Sequence, residues 1–351
     1  MLTNLRELSR TTVLRVRERL LALRQQRVAP PLPAAVEAQR GIVTTLDAGA
    51  MSYYVDGKGT RSGRPLVLVH GIHAAASAFE MRNLFEEFRS ERPVYAVDLP
   101  GYGFSERGNT QYTATTYIHA IQHLLRHVAN ERPGERADLV ALSLSSEYAA
   151  AAIAELPELV HSLIMISPTG FNRPNERPRA GAPGWLKATA AGLGELFFDA
   201  LVTRTALQYS LRKSFAGPVD EDLLEYCYAT SHQPGAHHAP LAFVAGELFP
   251  KTAPQQVYAK VTVPVLVMCD RDPYTSFAAL DSFAQQHPRF QAQRVVPSQG
   301  LPQVEVPART TQSMRDFWDR VEHAYDGPRS QQLTAAERAR SNGNAATHHR
   351  H

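Results

Sequence analysis

Apolar residues along this chain fall into two alternating patterns, short β-branched runs and longer stretches with helical spacing. Pro65-Leu66-Val67-Leu68-Val69-His70 is a brief continuous run. Its length and β-branching predict a strand buried on both faces, as in a parallel sheet. From there the pattern predicts a helix over Phe79 to Phe88, a strand over Pro93 to Leu99 and a helix over Thr115 to Ala129. A strand over Ala137 to Leu142, a helix over Ser145 to Ala154 and a strand over Leu159 to Ile166 follow. Strands alternating with helices are the signature of βαβ units. Ahead of this block, Ile42 to Val55 suits a hairpin turned at Asp47-Ala48-Gly49.

The alternation pauses from about Phe171 to Lys260, a helix-like, aromatic-bearing stretch that reads as an insertion. It resumes with Pro264 to Cys269, Ser276 to Gln286, Phe290 to Val296 and Thr310 to Ala324. The expected organisation is therefore an N-terminal arm (1–40), a first core part (41–170), a helical insertion (171–260), a second core part (261–326) and a tail (327–351).

Both ends depart from the core pattern. Leu2 to Arg27 reads as an amphipathic helix, with Leu5, Leu8, Val16, Leu20 and Leu23 on one stripe and Arg6, Arg10, Arg17 and Arg24 on another. Pro30, Pro31 and Pro33 end it. A basic helix of this kind suits peripheral contact with an anionic membrane surface, or packing against the body or a second subunit. Gly327 to His351 has few large apolar residues, and disorder is expected there.

Composition narrows the classes. An apolar share of 44% with 20% charged residues is that of a globular chain. The formal net charge is only +3, with seven arginines against two glutamates in the first thirty residues, so the remainder is nearly balanced. No basic field with interleaved aromatics exists, and nucleic acid is discounted as a partner. Cys227 and Cys269 lie far apart and form no CxxC pair, which suits two reduced thiols in a cytoplasmic protein. No run is long and apolar enough to span a bilayer, and arginines interrupt any signal-peptide core. Neither a cofactor nor a metal is called for.

Chemistry concentrates at two turns. Asp138-Leu139-Val140-Ala141-Leu142-Ser143-Leu144-Ser145 sets a serine where a buried strand turns into a helix. Such a turn strains the residue and lifts its hydroxyl above the sheet, with small residues two before and two after it because backbones crowd there. Ala141 and Ser145 are small, where glycine is usual; a plain turn or cap serine is the competing reading. The second turn is His70-Gly71-Ile72-His73, directly after the first central strand. There Ile72 N–H and Leu144 N–H are the two donors expected to face a developing oxyanion, while His70 and Gly71 shape the loop.

Leu68-Val69-His70-Gly71, then Asp98-Leu99-Pro100-Gly101-Tyr102-Gly103-Phe104-Ser105, then the Ser143 turn, then Val263-Pro264-Val265-Leu266-Val267 and Asp270-Arg271-Asp272-Pro273 together resemble the α/β-hydrolase superfamily. The resemblance spans roughly Pro65 to Phe317. It implies a mostly parallel eight-stranded sheet with helices on both faces, a helical cap at 171–260, a serine nucleophile at Ser143 and a triad acid at Asp272, with Asp270 as its neighbour.

One element of the family pattern is missing. Where a histidine opens an H-x-P-x-x-E-x-P-like stretch, this chain reads Ser298-Gln299-Gly300-Leu301-Pro302-Gln303-Val304-Glu305-Val306-Pro307. An ungapped match puts Gly300 in the histidine's place, and a one-residue deletion makes Leu301 its nearest neighbour. Neither side chain accepts a proton. His73, beside the oxyanion loop, and His232, His237 and His238, in the insertion, are the candidate substitutes. The apolar inventory of the insertion, including Trp185, Leu193, Phe197, Phe198, Leu201, Tyr209, Phe215, Leu223, Tyr226 and Tyr228, favours an apolar acyl or ring substrate, and the serine nucleophile that the resemblance implies makes hydrolysis of an ester-like or amide-like bond of a small apolar molecule the expected reaction. A ligand-binding protein or lyase-like catalyst on the same fold is the alternative.

Overall fold

A computed structural model describes residues 29–57, 63–108, 110–173 and 194–323. The expectations for the helix over Leu2 to Arg27, the tail from Gly327, and Trp185 and Leu193 lie outside the described residues.

Eight strands form a single sheet: β1 (Gln39–Thr45), β2 (Gly49–Asp56), β3 (Leu66–Val69), β4 (Val94–Val97), β5 (Ala137–Leu142), β6 (Val160–Ile166), β7 (Val265–Arg271) and β8 (Phe290–Gln299). Their spatial order is β1-β2-β4-β3-β5-β6-β7-β8. β2 runs antiparallel to β1 and β4, and every pairing from β4 to β8 is parallel. β3, β4, β5 and β6 are buried along their whole length. Strands covered on both faces need no polar alternation, which is why they read as continuous apolar runs. The mostly parallel α/β architecture expected from the residues is present.

Between the strands run α1 (Arg82–Phe88), α2 (Ala114–Glu131) and α3 (Ser145–Glu155). A short 3-10 turn over Ala78–Met81 leads into α1, so that helix starts later than its periodicity suggested. α2 opens on a capping box in which the Thr113 hydroxyl accepts Thr116 N–H and the Thr116 hydroxyl accepts Thr113 N–H, a device worth about 1 kcal/mol.

β6 and β7 are neighbours in the sheet but far apart in sequence. The described part of the intervening chain holds α4 (194–201), α5 (Arg204–Arg212), α6 (Glu221–Ser231), α7 (His238–Val244) and α8 (Pro254–Tyr258). This segment is tied to the sheet and its neighbouring helices. Tyr226 stacks on Phe79 with ring centroids 4.3 Å apart, Arg82 Nη2 lies 2.6 Å from Asp220 Oδ2, and Tyr148 OH donates to Leu248 O at 2.6 Å. Of its aromatics, Phe198, Phe215 and Tyr226 are buried in packing, whereas Tyr209 is exposed.

After β7 come α9 (Leu280–Gln286), β8 and α10 (Pro302–Glu305). β8 outruns the strand read over Phe290 to Val296. Beyond an irregularity between Cys269 and Arg271, the two strands pair again at Arg271 and Gln299. The first compact unit ends at Pro307, and Ala308–His351 form a second one. Of that unit the structure describes residues 308–323, all within helix α11 (307–323). Among the described residues, no helix is long and apolar enough to cross a membrane.

Candidate active site

Ser143 follows the last residue of β5 and precedes α3 by one residue. Its φ is +54°, in the left-handed region, which costs an L-residue roughly 1–2 kcal/mol. Surrounding bonds enforce the conformation. Ser143 N–H donates to Ile166 O at 2.8 Å, Ser146 N–H donates to Ser143 O at 3.1 Å, and the Ser146 hydroxyl donates to Ala141 O at 3.1 Å. The side chain is half-buried, so it is not sealed in the interior. Ser143 Oγ has no hydrogen bond to any described residue.

Ser145 links this turn to the loop after β3: its buried hydroxyl donates to His70 O at 2.6 Å. Its place two residues after Ser143 suits a small side chain, and here that side chain is also a tether.

Two interactions hold the loop itself. His70, fully buried, donates from Nδ1 to Gly71 O at 2.6 Å and accepts Leu99 N–H at Nε2, 3.0 Å away. Burial pushes its pKa down, so the ring is neutral and committed to structure. Glu80 accepts Gly71 N–H at 2.8 Å and pairs with His73 Nε2. Burial disfavours the charged form of Glu80, yet His73, His70 and the Gly71 amide hold its carboxyl below the usual range. The helical pattern gave no sign of this buried acid.

Ile72 and Leu144 are both buried, and among the described residues neither backbone N–H has an acceptor. Acceptor-free amides on buried residues are uncommon, although at Leu144 the helix start itself leaves the N–H without an intrahelical acceptor.

Asp272 sits just past β7 in a turn that delays α9 to Leu280. Its Oδ1 accepts the N–H groups of Tyr274 (2.7 Å) and Thr275 (2.8 Å). Burial nevertheless pushes the carboxyl up to about 6, against the lowering effect of those two amides. Asp270 is turned elsewhere, accepting Ser298 N–H at 3.1 Å.

The register Arg271 with Gln299 sets the next residues, Asp272 and Gly300, side by side. A Cβ placed on Gly300 would lie 3.2 Å from Asp272 Oδ2 and 3.5 Å from Ser214 Cβ. Gly300 has φ +94°. Leu301 is buried and precedes α10, so it serves packing and helix entry. Glu305 closes this corner: it accepts Gln299 N–H at 2.5 Å, Ala216 N–H at 2.5 Å and Gly217 N–H at 3.4 Å. The insertion is thereby clasped against the loop that carries Gly300.

None of the candidate substitute histidines is hydrogen-bonded to Ser143. His73 is engaged at both nitrogens, with Glu80 at Nε2 and Ala75 N–H at Nδ1, 3.3 Å away. His232 bonds Tyr228 O at 2.8 Å through Nδ1 and lies over the Tyr228 ring. His238 opens α7 and its ring lies tilted against that of His237 with centroids 4.0 Å apart, and His237 lies 3.6 Å from Glu195. A narrow cleft lined by Ala74, Tyr102, Arg107, Thr230 and Ala236 does not include Ser143.

α3 carries one further buried acid. Glu147 accepts the Thr169 hydroxyl, and burial pushes its carboxyl up to about 7. Its position one turn past Ser143 was visible in the sequence; its burial was not.

With this geometry in view, the relatives are informative. The chain is 33% identical over 137 residues to 1-acylglycerol-3-phosphate O-acyltransferase ABHD5 from Rattus norvegicus, a match covering 38% of either chain. It is 31% identical over 142 residues to a 2-(acetamidomethylene)succinate hydrolase from Mesorhizobium japonicum, covering 40% of this chain and 48% of that one. The matches thus span under half the length of these curated relatives. A thermophilic esterase from Thermogutta terrifontis superposes with a TM-score of 0.62 at 19% identity, covering 81% of this chain and 99% of that one, which shows a shared fold. Residues 66–312 match the model of the alpha/beta hydrolase family, and the chain belongs to that family.

Proposed function

We propose that the chain hydrolyses an ester-like or amide-like bond of a small, largely apolar molecule, with Ser143 as the attacking group and Ile72 N–H and Leu144 N–H as the oxyanion donors. The observation that carries this reading is the pair of buried, acceptor-free amides beside a half-buried serine held at φ +54°. Donors preorganised for a tetrahedral oxyanion act only where negative charge develops, and loss of one costs such enzymes roughly 10²–10³ in rate. Relatives named as hydrolases support the same class.

Without a triad histidine the turnover expected is slow. Oxyanion and binding contributions alone give about 10³ to 10⁴ over water. Labelling with a fluorophosphonate probe tests the reading: Ser143 is expected to take the label slowly, and Ser143→Ala to abolish it. No labelling of the native chain at high probe concentration would remove the nucleophile.

A second reading, ligand binding without turnover, is favoured by Gly300 standing beside Asp272 where a base is expected. A chain that binds short acyl esters saturably but shows neither label nor turnover would establish it.

A further inference from the structure

We propose that Glu80 is the positioning residue of this site: its buried carboxylate fixes the loop after β3 so that Ile72 N–H stays aimed at the oxyanion that forms when Ser143 attacks. This rests on the hydrolytic reading of Ser143 and adds to it the group that keeps one donor preorganised.

Along the loop, each backbone group is engaged until Ile72 is reached. His70 O accepts the Ser145 hydroxyl at 2.6 Å, Gly71 N–H donates to Glu80 Oε2 at 2.8 Å, and Gly71 O accepts His70 Nδ1–H at 2.6 Å. The peptide unit between His70 and Gly71 is thus held at both ends. His70 Nε2 accepts Leu99 N–H at 3.0 Å, which keeps the ring proton on Nδ1 and so preserves the bond to Gly71 O. That oxygen shares a planar trans unit with Ile72 N–H, so pinning it points the amide the opposite way. Ile72 N–H is the next group, and among the described residues it has no acceptor.

Gly71 makes the loop depend on its partners. Without a Cβ it restrains neither flanking peptide unit, so the orientation comes from the bonds around it. A Cβ built there would lie 3.4 Å from Glu80 Oε2 and 3.4 Å from Leu142 Cδ2, on the residue before Ser143. The loop, the acid and the serine turn therefore meet at this glycine.

The acid is suited to the task. Glu80 is 2% exposed, and a carboxylate is costly to bury unless donors fill its oxygens. Here the donors come from the loop itself. Oε2 takes Gly71 N–H, and Oε1 takes His73 Nε2, whose proton stays there because Nδ1 accepts Ala75 N–H at 3.3 Å. The turn that carries Glu80 is also clamped. Ala78 N–H donates to Asp98 Oδ1 at 2.9 Å, Gln303 Nε2 donates to Glu80 O at 3.3 Å, and Phe79 stacks on Tyr226 of the insertion.

Glutamine has the shape of this side chain but only one accepting end. Its NH2 must face either Gly71 N–H or His73 Nε2–H, donor against donor, and one of the two contacts is lost.

The test compares acylation of the full chain by p-nitrophenyl acetate and by its thionoacetate, read alongside fluorophosphonate labelling of Ser143. Thiocarbonyl sulfur is a poor hydrogen-bond acceptor, so the thionoester gains little from the two amides. The native chain should favour the oxygen ester. Glu80→Gln should slow the oxygen ester about tenfold or more and the thionoester less than about threefold, because only the former uses the donors. A merely structural role would slow both alike. Should that variant fail to fold, Glu80→Asp, which keeps the charge but falls one methylene short of Gly71 N–H, should narrow the same ratio. A native ratio near one, equal losses on both esters, or a folded variant at the native rate overturns the proposal while leaving Ser143 as nucleophile. A native chain in which Ser143 neither acylates nor takes label defeats the hydrolytic reading, and this inference with it.

Discussion

Position 300 holds a glycine, and an ungapped match to the family pattern would put the imidazole there. Restoring a histidine there sets two effects against each other. With φ at +94°, an L side chain costs roughly 1–2 kcal/mol, and Asp272 must yield by a few tenths of an ångström to admit the Cβ. In return the ring gains Asp272 Oδ2 as its partner. Gly300→His is expected to melt lower by a few degrees and to turn over a short acyl ester at least tenfold faster than the native chain; a folded variant with no gain would show that position 300 is not the base's seat.

Glu147 supplies a second test at this scale, on stability. Its pKa lies near 7 when folded and near 4.5 when unfolded. Between those values the folded chain binds more protons than the unfolded one, so this group lowers stability as pH rises from about 4.5 to 7. The cost is fully present above 7 and absent below 4.5. Glu147→Gln keeps an oxygen for the Thr169 hydroxyl, so it should stabilise the chain by up to about 3 kcal/mol at pH 8 and by little at pH 4. Urea melts at the two pH values check this, and equal shifts at both would refute it.

At the scale of elements, the strands and α2 and α3 follow from periodicity alone, because each buries the residues its pattern marks. The differences arise at ends. β8 continues past Pro297 because Gln299 finds Arg271 to pair with, and α9 starts late because Asp272 first captures two amides in a turn. Contacts of this kind form between distant segments, so no local pattern announces them. Glu305 is another such contact, joining α10 to the segment after α5 through the amides of Ala216 and Gly217. Glu305→Ala should cost about 1–3 kcal/mol, since hydrogen bonds to a charged acceptor are lost. Hydrogen exchange at Ala216 and Gly217 should speed up more than at α2, and unchanged exchange at those amides would show that the clasp holds nothing.

At the scale of the whole first unit, sheet order brings the chemistry together. β3, β5 and β7 end on the same edge, so the loops carrying Ile72, Ser143 and Asp272 emerge there although they are spread from residue 72 to residue 272 in sequence. The placement of Ser143, Asp272 and the two amides just beyond strand ends was legible in the sequence, because backbone geometry there is dictated by local chain. The commitments of His73, His232 and His237 were not legible, since a histidine's partner is whatever folding sets beside it. The burial of Glu80 and Glu147 was hidden for the same reason.

By itself the amino-acid order determined the alternation of strands and helices, the strained turn at residue 143 and the lack of a histidine before Pro302. These depend on neighbours in the chain, which sequence displays. Only the tertiary structure decided that Gly300 lies against Asp272, that Glu80 claims His73, and that Glu305 clasps the insertion. Those depend on approach through space, where strand register and burial select partners that sequence separation conceals.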